Sequence, residues 1–147
     1  MDGAPPTASS RLKPPLPHNP FPAATGVRRL VNAWGYSLAG LRHAVQRETA
    51  IQQELLACAV LIPVAALLPV PVLERLLLVL SMLLVVLVEF LNSAIEAAID
   101  RISLERHPLS GQAKDLGSAA VATALVMSAA CWLVIAGPVV VRWLNQA

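Results

Sequence analysis

Three long stretches of the chain consist almost entirely of apolar residues. They cover about residues 51–70, 72–100 and 116–141, close to or above the ~20 residues that a helix needs to cross a bilayer. The first stretch is the shortest, and Pro63 within it predicts a kink. The sequence Pro69-Val70-Pro71 predicts the turn into the second stretch. This pattern predicts an all-α integral membrane protein with three transmembrane helices.

Upstream of these stretches the pattern changes to mixed apolar and polar residues. Over about residues 26–47 apolar side chains recur at helical spacing, with arginines between them. This spacing predicts an amphipathic helix that lies on the membrane surface or packs on a partner. Residues 1–24 are rich in proline and poor in apolar residues, which predicts a disordered arm. Residues 25–147 would then form the single membrane domain.

The end of the second apolar stretch carries a polar stripe. At about 100° per residue, its members fall within an arc of roughly 100° on one helix face. Carboxylates at membrane depth cost at least a few kcal/mol each, so they usually face a protein interior or a wet cavity and indicate function. The alternative is a solvated face on a helix that has already left the bilayer. The stripe consists of Glu89, Asn92, Ser93, Glu96, Asp100 and Ser103.

Composition and charge agree with a membrane protein. The chain has 147 residues, of which 56% are hydrophobic and 14% charged, and its mean hydropathy is +0.65. The net charge of +2 is too small to argue for a nucleic-acid partner. Cys58 and Cys131 both lie in apolar stretches, which favours their being small hydrophobic residues rather than a disulfide or a metal pair.

The distribution of Lys and Arg predicts the membrane topology. Six precede the first span, three lie between the second and third spans, and the other two lie on the opposite side. The positive-inside rule therefore places the N-terminus and the polar stripe in the cytoplasm and the C-terminus outside. This orientation would expose the stripe to nucleotides.

Carboxylates, an amide, a Lys-Asp pair and a His at one interface suit phosphoryl transfer. That reaction needs a base for a hydroxyl proton, carboxylates for Mg²⁺ and cations for phosphate oxygens. Glu89 lies deepest and suits the base, Glu96 lies nearer water and suits the metal, and Lys114 would contact phosphate. The sequence has no Walker phosphate loop, so a nucleotide site would be of another kind. A loop with Ser110 or Asp115 capping the third helix explains the region before Gly117 equally well.

The order and spacing of these residues resemble a known family. The segment from Glu89 through Asn92, Glu96 and Asp100-Arg101, followed by His107-Pro-Leu-Ser-Gly-Gln-Ala-Lys114-Asp115-Leu-Gly-Ser118, resembles the bacterial integral-membrane diacylglycerol kinases. The likeness covers nearly everything after the N-terminal arm. It implies a homotrimer in the bacterial inner membrane with active sites shared between subunits at the cytoplasmic face. It also implies phosphorylation of membrane diacylglycerol with ATP and Mg²⁺.

Matching positions imply roles for individual residues. Glu89 resembles the catalytic base supported by Asn92, and Glu48 and Glu96 resemble the metal ligands. The positions that match the ATP site are Arg29, Tyr36, Glu48, Glu96, Glu105, Arg106, His107, Lys114 and Asp115. Those that match the lipid site are Arg29, Ala33, Trp34, Ser37, Leu38, Arg42, Glu54, Arg75, Glu89, Ser118 and Trp132.

Three other interpretations remain. Within the same family, an undecaprenol kinase has a similar pattern, and His107-Pro108-Leu109 occurs in both branches. A small proton-coupled transporter would use Glu89 and Glu96 to relay protons, but it predicts acids near mid-bilayer and has no need for Lys114 and Asp115. A purely structural membrane protein would leave the polar stripe unexplained.

Overall fold

The computed structural model of the chain describes residues 26–102 and 107–146. Within these ranges the chain forms five α-helices and no strand, as the sequence predicts for an all-α protein. Three of the helices, α2 to α4, are long and apolar enough to cross a membrane. The five helices are α1 (Val27–Arg47), α2 (Thr49–Leu67), α3 (Val72–Ile102), α4 (Pro108–Ile135) and α5 (Gly137–Leu144).

The first helix, α1, begins after Gly26, whose φ of +64° lies in the left-handed region that glycine tolerates. The chain divides into two compact units between Ser37 and Leu38. In the described part of the first unit the side chains are exposed, and the Ser37 hydroxyl donates a hydrogen bond of 3.0 Å to the Ala33 carbonyl. A surface-bound, amphipathic role for α1 stays a prediction.

A break at Glu48 separates α1 from α2. The sequence predicted that the polar segment after Arg47 would continue as helix into the first span, but Glu48 has extended backbone angles of φ −102° and ψ 107°. The Gln52 side chain donates a 2.8 Å hydrogen bond to the Val45 carbonyl, one of the carbonyls that the end of α1 leaves without a helical partner. Gln52 thus helps to satisfy the backbone at the break.

The turn between α2 and α3 is held by packing and by one arginine. Helix α2 runs through Pro63 and ends at Leu67. The Arg75 Nη2 atom donates to the carbonyl oxygens of Leu68 at 3.1 Å and Val70 at 3.5 Å. The apolar residues that form the core at this end of the spans are Ala65, Leu68, Leu78, Ala136 and Val139.

Helices α3 and α4 form an antiparallel pair. Far from their connection, the Ser128 hydroxyl on α4 lies 3.3 Å from the Ser81 hydroxyl on α3, and both residues are buried. Such hydrogen bonds between small polar residues are common between membrane helices. In this register the polar stripe of α3 lies opposite the first turns of α4.

Two helices, α4 and α5, cover the third apolar stretch. Helix α4 begins at Pro108, before the expected start near residue 116, and its N-cap is His107, whose Nδ1 accepts a 3.2 Å hydrogen bond from the Leu109 amide. Ser110 and Asp115 lie inside the helix, so the interpretation of either as its cap was wrong. Beyond Ile135 the chain continues as α5, with Pro138 in the first turn, where its missing N–H costs nothing.

Candidate active site

Two polar residues of the stripe are buried inside the helix pair. Glu89 and Asn92 on α3 are 7% and 8% exposed, and Glu96 on the same face is half-buried. The Asn92 Nδ2 atom donates a 3.1 Å hydrogen bond to Glu96 Oε1. The sequence interpretation assigned Asn92 to the support of Glu89, whereas this bond joins it to the residue expected to bind metal.

The break between α1 and α2 brings Glu48 toward the stripe. Glu48 occupies the N-cap position of α2, but its side chain makes no capping hydrogen bond. Its carboxylate lies close enough to that of Glu89 to repel it, as does the carboxylate of Glu96. Glu54, six residues further along the chain in α2, also interacts electrostatically with Glu89. The fold therefore gathers acids from α2, α3 and the break before α2.

The acidic group has the kind of ligands that Mg²⁺ prefers. Among the described residues, no three His, Cys, Asp or Glu side chains converge on a common metal position. Mg²⁺ is commonly bound through only one or two carboxylates, with substrate phosphates and water completing its shell. The carboxylates of Glu48 and Glu96 could supply hard oxygen ligands, and the charge of Glu89, which both repel, would favour a cation there. The donor set therefore fits Mg²⁺ bound together with phosphate oxygens.

Lys114 lies on α4 near the cytoplasmic end predicted from the sequence. Its Nζ atom forms a 2.6 Å ion pair with Asp100 Oδ1 on α3, and both side chains are partly exposed. The sequence placed Asp100 in the polar stripe but gave it no role. The partnership depends on how α3 and α4 face each other, so spacing along either helix could not have revealed it.

A cavity of about 400 Å³ opens between α2, α3 and α4 beside the acids. Its walls are apolar except for a few groups, among them Glu54 and Trp132. In the described chain neither Glu54 Oε2 nor Trp132 Nε1, both buried, has a hydrogen-bond partner. The residues lining the cavity are Glu54, Ala57, Leu61, Met82, Val85, Leu125, Ser128, Ala129 and Trp132. An apolar cavity with an acceptor and a donor suits an amphipathic ligand.

Arg75, which the resemblance assigned to the lipid site, lies at the opposite end of α3 from the acids. It precedes Glu89 by 14 residues, which corresponds to about 21 Å along a helix. Its guanidinium group is engaged with the carbonyls of the turn between α2 and α3. The structure does not bring Arg75 together with the acidic group.

The remaining candidate residues are mostly exposed. Leu38 and Arg42 lie on the second half of α1, and Asp115 and Ser118 lie on exposed positions of α4. Glu105 and Arg106 are outside the described residues. The candidates on the first half of α1, which belongs to the other compact unit, are exposed there: Arg29, Ala33, Trp34, Tyr36 and Ser37.

Comparison with known proteins decides the family. The sequence pattern of the prokaryotic diacylglycerol kinases matches residues 35–136, more than two thirds of the chain. The chain belongs to this family. Curated relatives include the diacylglycerol kinase of Pseudomonas aeruginosa, 53% identical over 80% of this chain and 95% of the relative. That of Escherichia coli K12 is 47% identical over 76% and 91%, and that of Haemophilus influenzae is 45% identical over 74% and 92%.

Membership of the diacylglycerol kinase family makes the chain an enzyme, a kinase that acts on lipid. Its three long apolar helices agree with a bacterial membrane kinase. The matched region contains the acids of α3 and the beginning of α4, and it includes Glu48, Glu54 and Trp132. The acidic group and the cavity are therefore made from the part of the chain that the family shares.

Proposed function

We propose that the enzyme phosphorylates membrane diacylglycerol to phosphatidic acid with ATP and Mg²⁺. The observation that carries this proposal is the buried carboxylate of Glu89, which lies beside Glu48 and Glu96 in a chain of the diacylglycerol kinase family. The relatives are named diacylglycerol kinases, which supports diacylglycerol as the lipid. The alternative lipid is undecaprenol, as in the other branch of the family.

The proposed reaction is a single phosphoryl transfer. The oxygen of the lipid's primary hydroxyl forms a bond to the γ-phosphorus of ATP, the bond from that phosphorus to the bridging oxygen breaks, and ADP leaves. Glu89 accepts the hydroxyl proton, a step that typically contributes ~10²–10⁴-fold to rate. Burial excludes water, which would otherwise compete with the lipid for the phosphoryl group.

Other side chains bind and orient the substrates in this proposal. Glu48 and Glu96 would hold Mg²⁺, which supplies positive charge to the phosphate oxygens when bound. Lys114, released from Asp100, would contact a phosphate oxygen, and the cavity that Glu54 and Trp132 line would take the upper part of the lipid. Phosphoryl transfer depends largely on positioning and charge stabilisation, which these groups can provide without a Walker loop.

We further propose the assembly and orientation that the family implies. The enzyme would be a homotrimer with active sites shared between subunits, and α1 would lie on the cytoplasmic surface of the inner membrane. A partner subunit would then supply groups to each site, since the described chain alone leaves buried polar atoms of Glu54 and Trp132 without partners. The Lys and Arg asymmetry supports a cytoplasmic site.

The test is to identify the lipid that receives phosphate. The purified enzyme in mixed micelles is supplied with γ-labelled ATP and Mg²⁺ and with diacylglycerol or undecaprenol at equal mole fraction. We expect label in phosphatidic acid and little in undecaprenyl phosphate. Label mainly in undecaprenyl phosphate would show that the substrate is undecaprenol. Label in neither lipid would contradict the proposed reaction.

A further inference from the structure

Helices α3 and α4 pack tightly against each other at Gly117. This residue is buried on α4 and faces the side chain of Asn92 on α3. A Cβ atom built on Gly117 would overlap with Asn92 Oδ1 and would lie 3.3 Å from Asn92 Cγ. Its distance to Asn92 Cβ, 3.9 Å, would be an ordinary contact. The amide of Asn92 thus occupies the space that any side chain at this position would need.

The same contact explains an otherwise unpartnered oxygen. Asn92 Oδ1 is buried and has no N–H or O–H partner among the described residues. Because it lies where a Cβ of Gly117 would be, it faces one of the two Cα hydrogens of that glycine. Cα–H···O contacts of this kind recur where membrane or soluble helices approach closely, and they are weakly stabilising.

The contact also fixes which end of the amide faces Glu96. With Oδ1 against Gly117, the Nδ2 atom is left to donate to Glu96 Oε1 at 3.1 Å. The reverse orientation would bring two negatively polarised oxygens together. One carboxylate oxygen of Glu96 is therefore held by Asn92, which orients the other oxygen.

We infer that Gly117 is a positioning residue: its missing side chain lets Asn92 lie against α4 and orient the carboxylate of Glu96 for its ligand. This inference rests on the proposed function, in which Glu96 binds Mg²⁺ with ATP. Hydrogen-bonded partners of metal ligands commonly change metal affinity 10–100-fold when they are mutated. Gly117 does not contact Glu96 in this account and acts on it through the side chain of Asn92.

A double-mutant cycle separates this role from simple helix packing. The four proteins are the wild-type enzyme, Gly117→Ala, Asn92→Ala and the double variant, each assayed for turnover against Mg²⁺ concentration with diacylglycerol and ATP saturating. We expect Gly117→Ala to raise the half-maximal Mg²⁺ concentration by about tenfold. We also expect it to add nothing in the Asn92→Ala background, because the overlapping amide is then gone and Cβ to Cβ contact at 3.9 Å is ordinary.

Stability gives a second measurement that does not depend on activity. Unfolding in detergent should show Gly117→Ala destabilising the wild-type enzyme but stabilising Asn92→Ala, since alanine is the better helix former once no group overlaps it. If Gly117→Ala does not assemble, the double variant should assemble. Gly137→Ala is the matched control, because a Cβ at Gly137 meets nothing within 4 Å and its Mg²⁺ dependence should match the wild-type enzyme.

Two results would overturn the inference. One is a Gly117→Ala enzyme with wild-type Mg²⁺ dependence, and the other is an effect of Gly117→Ala that is equally large with and without Asn92. Glu96→Gln is assayed alongside to keep the proposed function separate. If Glu96→Gln shifts the Mg²⁺ dependence and Gly117→Ala does not, only the positioning role fails. If Glu96→Gln has no effect, the assignment of Glu96 as a metal ligand is what fails.

Discussion

The two ends of α3 bury different kinds of side chain, apolar at one end and polar at the other. At the turn end, Leu78 is fully buried among apolar neighbours, and Arg75 donates to backbone carbonyls of the turn. At the stripe end, Glu89 and Asn92 are buried, other carboxylates repel Glu89, and Asn92 Oδ1 has no N–H or O–H partner in the described chain. Burial of charge without a neutralising partner is costly.

This difference indicates which end was selected for stability and which for chemistry. A membrane helix gains nothing in folding from carboxylates that repel one another, so their presence is explained by a ligand that neutralises them. Local conflicts of this kind are expected at functional sites, where the rest of the fold compensates for them. Mutations at the two ends should therefore change different measured quantities.

The largest effect on stability is expected from Leu78→Ala at the turn end. The side chain is fully buried, and large-to-small substitutions of this type typically cost about 2–5 kcal/mol through lost contacts and a residual cavity. We expect that loss in the free energy of unfolding measured by denaturant titration in micelles. The Mg²⁺ dependence of the protein that remains folded should be unchanged. A shift in that dependence would show that the two ends are coupled.

At the stripe end, Glu96→Gln and Glu48→Gln should change the Mg²⁺ dependence of turnover without lowering the stability. Each removes a proposed metal ligand, so the half-maximal Mg²⁺ concentration for turnover should rise by at least about tenfold. Each also removes a charge that repels Glu89, so the free energy of unfolding without Mg²⁺ should stay equal or rise. If Glu48→Gln leaves the Mg²⁺ dependence as it was, Glu48 is a surface charge and its assignment is wrong.

The smallest effect is expected from Ser128→Ala, between the two ends. The variant loses the 3.3 Å hydrogen bond to Ser81, and bonds of this kind in membranes average about 0.6 kcal/mol. The free energy of unfolding should fall by that amount, and Ser81→Ala should add little to it in a double variant. Losses that add in full would show that the two hydroxyls act independently.

The sequence was sufficient for the features that depend on local pattern. Apolar runs of sufficient length predicted the three long helices, and the 3.6-residue period placed Glu89, Asn92 and Glu96 on one face. The resemblance carried by the segment from Glu89 to Ser118 predicted the family, which the comparisons confirm. These features need only the order of residues along one helix.

The features that the sequence did not reveal depend on how helices meet. Nothing in the composition around Glu48 ends a helix, and the bond from Gln52 to a carbonyl of α1, which helps to satisfy the backbone there, depends on the folded chain. The pairing of Asp100 with Lys114 and the fit of Asn92 against Gly117 both depend on the register of α3 and α4. A single sequence does not contain that register.

The central claim, that Glu89 is the base of a lipid kinase site, is tested most directly by comparing Glu89→Gln with Glu74→Gln. Both residues are acids of α3, and Glu74 lies in its first turn, away from the acidic group. Formation of phosphatidic acid is measured at saturating ATP and diacylglycerol, together with ATP binding and assembly in detergent. We predict that Glu89→Gln lowers kcat by at least ~10²-fold with binding and assembly retained, and that Glu74→Gln matches the wild-type enzyme. A near-normal kcat for Glu89→Gln would contradict the assignment, and loss of assembly would show that Glu89 is structural.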